Sequence, residues 1–581
     1  MKKFFQLSLT FIVIFCLSAS CKKKDGSTVG GSEKKEVKQS KFAKNYPEFN
    51  SQAFKDVLLA QSDSALSPLY RSTEYTPIWI HDTLDTKKLY EFIEILKIAD
   101  EHGLSPELFS YSKIKLYTDS IDSGLYANNM DTLYKKMLLL EQEATKAAIK
   151  YISGMSFGFL NPKNLYAGDY NITILQPDSA FWADTYSKIA NDPINTILAS
   201  HPNDNVYLKL QTEYRNLKNR DKSEQKKIPV KDVTYKLGAQ NKHIAEIAER
   251  LMLTGEYVPD SIPTDSLHQK LDKKLLAAIN TFRKKISYPE DSEVGKLTIE
   301  ALNRPFEYYQ KKISANMERY RWKRTKQTHK KHIEVNVAAA MLTATDADNS
   351  PLIMRVCVGS VKNKTPLLQS DINYLNLNPY WNVPRSIAQK EIAVLQKKDS
   401  TYIRRHNMKL FKGGKEVETS SIDWKNINPS TFSYIIRQEP GGGNSLGLVK
   451  FMFNNDFSVY LHDTPSKSAF NRKNRAVSHG CVRVQRPFDL AYFCLSPVTE
   501  VYKDRLLYTV KKEPVSKEGK QLLKANNLKK LPDVINIDPE NKISLFIDYY
   551  TAFLYPSDDT LYYADDMYEY DNIILDKLNS L

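Results

Sequence analysis

The chain has 581 residues, a formal net charge of +15 and a hydrophobic fraction of 41%. That length accommodates about three or four domains, and that apolar fraction is enough to bury real cores. With 20 glycines and 5 cysteines it is neither collagen-like, low-complexity nor a disulfide miniprotein. The lysines are scattered rather than gathered in one stripe, which reads as a solvated basic surface. Attraction to nucleic acid, anionic lipid or a carboxylate-rich cell wall is the alternative that charge alone leaves open.

Residues 1–21 join a basic start, MKK, to the apolar run FFQLSLTFIVIFCL and the small residues SAS before Cys21. The run is short for a membrane span and has the layout of a secretory signal peptide. A cysteine directly after the small residues resembles a bacterial lipoprotein processing site, with Cys21 lipidated, although Leu17 sits one place further upstream than usual; ordinary signal cleavage with an incidental cysteine, or an uncleaved anchor, is the alternative. No later stretch reaches eighteen consecutive apolar residues, so no other span is expected. Residues 22–45 are polar, charged and Gly/Ser-bearing, and read as a flexible tether.

Residues 46–235 read as a helical scaffold with no chemistry of its own. "LYEFIEILKIADEHGLSPELF" and "YKKMLLLEQEATKAAIKYISGMSFG" place apolar residues at helical spacing, with Gly stops. Residues 238–305 hold three amphipathic segments and resemble the three-helix peptidoglycan-binding module. Gly295, Thr298, Leu302 and Asn303 fit that module's closing pattern. Arg283 replaces its usual Gln, and Asp291-Ser292 its usual Asp-Gly, so the fold is expected while wall binding is left open.

From about residue 330 short strand-like runs take over: "KHIEVNVA", "LIMRVCVG", "INYLNLNP", "LVKFMF", "FSVYLH" and later "SLFIDYYTAFLY". A helix and a charged, irregular stretch interrupt them over about 390–437, a candidate lid over neighbouring strand ends. The expected class is thus α+β and multidomain: scaffold, small three-helix unit, and a mainly-β domain over 306–581. Cys357 and Cys494 read as small hydrophobes in the core. No Cys-x-x-Cys or metal spacing occurs.

Cys481 is different. It lies in "YLHDTPSKSAFNRKNRAVSHGCVRVQRP" (460–487), nineteen positions after His462. His462 ends one strand-like run and Cys481 opens the next, "CVRV". Two adjacent strand ends joined by such a loop can bring a base to a thiol. Gly480 lets the backbone turn so that the amides of Gly480 and Cys481 aim at one spot, an oxyanion hole for acyl transfer. Arg483 shares the face of Cys481 by strand alternation and can hold a carboxylate. Buried filler is the bland reading of the cysteine. Zinc on His462, His479 and Cys481 fails the spacing rules, and a papain-like enzyme would place its histidine far downstream.

His462, fifteen residues, then Ser478-His479-Gly480-Cys481-Val482-Arg483 resembles the motif of L,D-transpeptidases of the long, lid-bearing class with a YkuD-type catalytic domain. "NMERYRW", "NPYWNVPRSIA", "PGGGNSLGLVKFMF", "YLHDTP" and "YYTAFLY…YADDMYEYD" extend the likeness over roughly 300–581. The resemblance implies formation of 3-3 cross-links between peptidoglycan stems through a Cys481 thioester, with no metal or cofactor. His462 would be the base, oriented by the backbone carbonyl of Asp463. The Gly480 N–H would serve the oxyanion. Ser478, His479, Arg483, Tyr460 and Trp381 would line the donor site, with core packing the equal alternative for Trp381. Implied partners are donor and acceptor stems and a membrane through the lipid anchor, with no nucleic acid. The expected place is the periplasm, anchored to the outer membrane of a Gram-negative-type bacterium. A hydrolase, exchange or protein-to-wall attachment enzyme on the same fold, or a non-catalytic wall-binding lipoprotein, are the competing functions.

Overall fold

The computed structural model describes residues 40–80, 86–220, 225–230, 234–259, 269–325, 328–347, 349–556 and 558–581. The leader, Cys21 and the tether up to residue 39 lie outside the described residues.

The scaffold is built around the 28-residue helix Met130–Phe157. The Asn129 side chain accepts the Thr132 amide at its start, and Gly158, with φ of 91°, ends it. Leu133, Met137, Leu140, Ala144, Ala148, Tyr151 and Met155 recur on one face and are buried. Helices Ser51–Gln61, Tyr111–Asp122 and Pro193–Ala199 pack on it. Lys41–Asn45 is also a helix, with Phe42 in the same core, so residues 41–45, expected in the tether, belong to the scaffold.

The expected boundary at 305/306 needs a second correction. Helix Phe306–Arg321 and the C-terminal residues Ala552, Tyr563, Ile574 and Leu578 belong to the scaffold core. A buried polar network explains why. Asp571 receives Arg319 at 2.6 Å, Lys312 at 3.4 Å and the Thr551 hydroxyl at 2.7 Å, and Asn316 donates to Thr551 at 2.7 Å. A buried carboxylate with this many donors stays charged, and the two cations hold its pKa below the usual carboxylate range. The scaffold also lends strand Tyr170–Asn171, parallel to Leu367–Leu377, to the β domain.

Helices Lys242–Thr254, Lys273–Lys285 and Lys296–Leu302 form the small unit around Ile247, Leu251, Ile279 and Phe282. Arg283 is buried there. Its guanidinium bonds Thr298, Asn280 and the carbonyls of Asp291 and Glu293, so this side chain braces its own unit.

In the β domain the sheet runs Leu367–Leu377, Val449–Phe453, Leu461–His462, Val482–Val484, Asn349–Gly359, Met341–Asp346, Lys331–Asn336, Ile543–Asp548. Ile543–Asp548 then pairs back onto Leu367–Leu377, closing the sheet on itself. In "FSVYLH" only the last two residues are strand. The Asn455 side chain accepts the amides of Phe457 and Val459, and Ser458 has φ of 56°, which breaks the extended run. Cys357 and Cys494 are buried, free thiols.

The inserted lid is larger than the expected 390–437, and it is ordered. Strands Lys415–Val417, Met408–Lys412, Ile435–Gln438 and Trp381–Asn382 make its own antiparallel sheet, so it runs from Trp381 to Gln438. Val383, Ile392, Ile403, Leu410, Trp424 and Ile436 form its core.

Removing one partner from a buried ion pair leaves an uncompensated charge. Asp571→Ala is expected to cost about 3–5 kcal/mol in chemical denaturation followed by tryptophan fluorescence. A loss below about 1 kcal/mol, the size of an exposed pair, would mean that the network does not hold scaffold to β domain.

Candidate active site

The site follows from strand register. Leu461–His462 runs parallel to Val482–Val484, with Leu461 opposite Val482 and His462 opposite Arg483. On its other side it is antiparallel to Val449–Phe453, with Lys450 opposite His462. Paired residues share a face, and so do residues two apart. Leu461, Val482 and Phe451 therefore point into the core, and all three are buried. The opposite face presents two rows: Cys481 beside Tyr460, and Arg483, His462 and Lys450. Cys481 and His462 are diagonal neighbours across adjacent strands, a relation within reach of long or aromatic side chains.

The backbone N–H and the hydroxyl of Tyr460 lie on the side of the Cys481 sulfur and favour its thiolate. Burial pushes the thiol pKa up. The Tyr460 donors, Lys450 and Arg483 pull it down without cancelling that shift. The imidazole of His462 moves the other way. Burial first, then Arg483, depress its pKa to about 3. Both shifts run toward the uncharged forms, a thiol beside a neutral imidazole. The Nδ1–H of His462 donates to the Asp463 carbonyl at 2.5 Å. A carbonyl can only accept, so the tautomer is fixed and Nε2 keeps its lone pair for a proton. The ring stands edge-on to Tyr460, with centroids 5.6 Å apart.

The Asp463 carboxylate does other work. It accepts the amides of Leu448 at 2.9 Å and Thr464 at 2.6 Å, and Lys467 at 2.5 Å. It packs so closely on Gly447 that a Cβ there would approach its carboxyl carbon to 2.3 Å. The backbone carbonyl alone orients His462.

Gly480 has φ of 111°, which only glycine adopts readily. Its N–H, expected in the oxyanion hole, instead donates to the Ser478 hydroxyl at 3.1 Å, and that hydroxyl donates to the Cys481 carbonyl at 2.6 Å. Ser478 is buried and braces the turn rather than lining a cleft. The Gly480 carbonyl accepts from Thr365 at 2.8 Å, and Thr365 donates its own amide to Tyr568 from the C-terminal segment.

His479 turns outward to Glu391 of the lid, Nε2 to Oε1 2.5 Å, so it does not converge with His462 and Cys481 as a zinc set would. Among the described residues no group of three or more His, Cys, Asp or Glu is placed to hold a metal. Arg483 is half-buried, its Nε has no hydrogen-bond partner, and no carboxylate pairs with it among the described residues. Trp381 pairs with Gln438 in the lid sheet and packs on the lid core, on the side of the Tyr460 hydroxyl.

Two residues at or beside this face escaped the sequence reading. Lys450 holds its ammonium 3.8 Å from the centroid of the Tyr460 ring and acts on the charges of both Cys481 and His462. Burial depresses its own pKa. A lysine in the otherwise apolar "LVKFMF" was the available signal. Glu391 carried no signal, because its partner comes from 88 residues away.

Residues 330–503 match the L,D-transpeptidase catalytic domain family, YkuD, and residues 64–213 match the scaffold domain family. The chain carries a YkuD-type L,D-transpeptidase catalytic domain joined to a helical scaffold domain. A Haemophilus influenzae protein that bears an L,D-transpeptidase name is 35% identical over 196 residues, covering 32% of this chain and 40% of that protein. The matched segment thus spans less than half of that relative's length. A crystal structure of an L,D-transpeptidase from Stackebrandtia nassauensis is 16% identical, covers 46% of this chain and 90% of its own, with a TM-score of 0.20. One from Xylanimonas cellulosilytica is 12% identical, covers 55% and 99%, with a TM-score of 0.15.

Because burial holds the thiol neutral, iodoacetamide labelling of Cys481 should rise only as pH passes the ordinary thiol range near about 8.5. Lys450→Met removes a cation that favours the thiolate, so the labelling profile should move to still higher pH. An unchanged profile would show that Lys450 only fills space.

Proposed function

We propose that this protein is a peptidoglycan L,D-transpeptidase that forms 3-3 cross-links between stem peptides through a Cys481 thioester. The observation that carries the proposal is the diagonal pairing of Cys481 with a tautomer-fixed His462 on a catalytic-family sheet, beside an Arg483 that no carboxylate engages. In the acylation step, Sγ attacks the carbonyl carbon of the donor's L–D amide while His462 Nε2 takes the thiol proton. The C–S bond forms, the C–N bond breaks, and Nε2 returns the proton to the departing D-alanine amine. In the second step the acceptor's side-chain amine attacks the thioester. His462 takes the amine proton and delivers it to the leaving sulfur.

With the Gly480 amide engaged by Ser478, the amide of Cys481 is the donor this turn offers the oxyanion. Arg483 suits the donor carboxylate by a bidentate bond. Tyr460 and Trp381 form walls, and the His479–Glu391 contact ties the lid to the nucleophile turn. Export by the leader and lipidation of Cys21 would hold the enzyme in the envelope, anchored on the periplasmic face of the outer membrane of a Gram-negative-type cell. Residues 40 onward then reach the wall on the tether.

The test is mass spectrometry of products from disaccharide-tetrapeptide. A tetrapeptide–tripeptide dimer that has lost alanine is expected from the wild type, with at least about a thousandfold loss in Cys481→Ala and His462→Ala. Free tripeptide alone would assign hydrolysis, and tetrapeptide carrying an exchanged D-amino acid would assign exchange. Product formation that survives Cys481→Ala would sink the thioester route. A carbapenem is expected to add its mass to the wild type but not to Cys481→Ala. Labelled palmitate should enter the wild type but not Cys21→Ser, and equal labelling of both would remove the anchor.

A further inference from the structure

A second cleft, about 260 Å³, opens where the small helical unit, the C-terminal segment and the loop joining His462 to Cys481 meet. Lys284, Tyr288, Arg355, Arg475, Tyr555 and Tyr562 line it, and none of Cys481, His462, Tyr460 or Arg483 does. We propose that this cleft is an oxyanion-binding site for a small ligand bearing a carboxylate or phosphate group.

The argument starts from Arg475, which is only 5% exposed. Its two terminal nitrogens donate to the carbonyls of Arg472 at 3.1 Å and Ala339 at 2.8 Å, while its Nε is buried without a partner. Arg355 lies close enough that the two guanidiniums repel, which adds to burial in depressing the Arg475 pKa. Arg355 itself reaches only the Phe470 carbonyl and the Asn471 side chain, both at 3.4 Å. Among the described residues no carboxylate pairs with either arginine. The one acid on the rim, Asp558, accepts from the Tyr562 hydroxyl and the Thr560 amide and faces Lys284.

Two like charges side by side without a counter-charge, one of them almost fully buried, are costly. An oxyanion beside them offsets that repulsion, since guanidiniums bind carboxylate and phosphate by charge-assisted N–H bonds. Tyr555 stands beside both arginines and 4.7 Å from Tyr562, so the cation-lined end has aromatic walls for the rest of the ligand. The volume lies just under the usual range for ligand pockets and fits a small acid rather than a polymer chain.

The location gives occupancy a consequence. Arg475 feeds strand Ala476–Ser478, which leads directly to Cys481, and Arg355 contacts the same loop at Phe470 and Asn471. A bound anion would tie this loop to strand Asn349–Gly359. The site stands whether or not Cys481 transfers acyl groups.

The test is isothermal titration of the full mature chain with inorganic phosphate and, separately, with N-acetylmuramic acid, at ionic strength held constant with chloride. Saturable binding of one ligand per chain is expected, weakened about tenfold or more in Arg355→Gln and Arg475→Lys. Phosphate binding would assign a phosphorylated ligand, and N-acetylmuramic acid binding a saccharide carboxylate. Arg355 is half-exposed, so its variant should keep the wild-type unfolding temperature in chloride and remain a valid probe if Arg475→Lys folds poorly. Absence of saturable binding by either anion up to millimolar concentration overturns the proposal. So does binding that survives Arg355→Gln but is lost in Arg483→Gln.

Discussion

Everything at the candidate site depends on one short parallel pairing, Leu461–His462 against Val482–Val484. Parallel neighbours cannot be joined by a tight hairpin and need a long connection. Here that connection is the loop through Phe470 and Arg475, and it ends in the Gly480 turn. A slip of one residue would send His462 into the core and Leu461 onto the opposite face. Burial of Leu461 and Val482 prevents it, because each loses about 1.5–3 kcal/mol if turned out to water. The apolar side chains set the register, and the register places the chemistry.

That placement has an electrostatic consequence. Burial alone would make Cys481 a poor acid and His462 a poor base, and both shifts run that way. Lys450 and Arg483 favour the thiolate but oppose the imidazolium, so in the resting protein they help one partner and hinder the other. Arg483 therefore acts on both partners at once: any anion that neutralised it would relieve the imidazolium and withdraw support from the thiolate together, leaving Lys450 as the cation that still favours the thiolate.

The parts legible in the sequence were those carried by local pattern. Apolar spacing exposed the helix Met130–Phe157 and the closing helices of the small unit, and Val-, Ile- and Phe-rich runs exposed most of the sheet. Cys481, His462 and Arg483 could be read as one face because alternation along a strand is a local rule. What escaped were properties of distant contacts. The exit of helix Phe306–Arg321 into the scaffold is decided by Asp571, 252 residues from Arg319. The Ser478 hydroxyl takes the Gly480 amide because of the exact fold of a three-residue turn, which a motif does not specify. The lid strands are short and their register comes from Trp381 and Gln438 meeting across the insertion, so the sequence offered a charged, irregular stretch instead.

The scaffold is therefore more than a spacer. Its helix Phe306–Arg321 fixes the C-terminal segment through Asn316, Thr551 and Asp571. That segment returns Tyr568 to Gly359 and Thr365, whose hydroxyl holds the Gly480 carbonyl. A continuous run of buried hydrogen bonds thus links the scaffold core to the backbone turn that carries Cys481. Each bond is worth only about 0.5–1.5 kcal/mol, but a buried donor or acceptor left unmade costs more. Loss of the scaffold would strand several such groups at once, and the positive φ of Gly480 would lose the contact that holds its carbonyl in place. The separation of a helical domain from a catalytic domain, clear in the chain order, is dissolved in the packing.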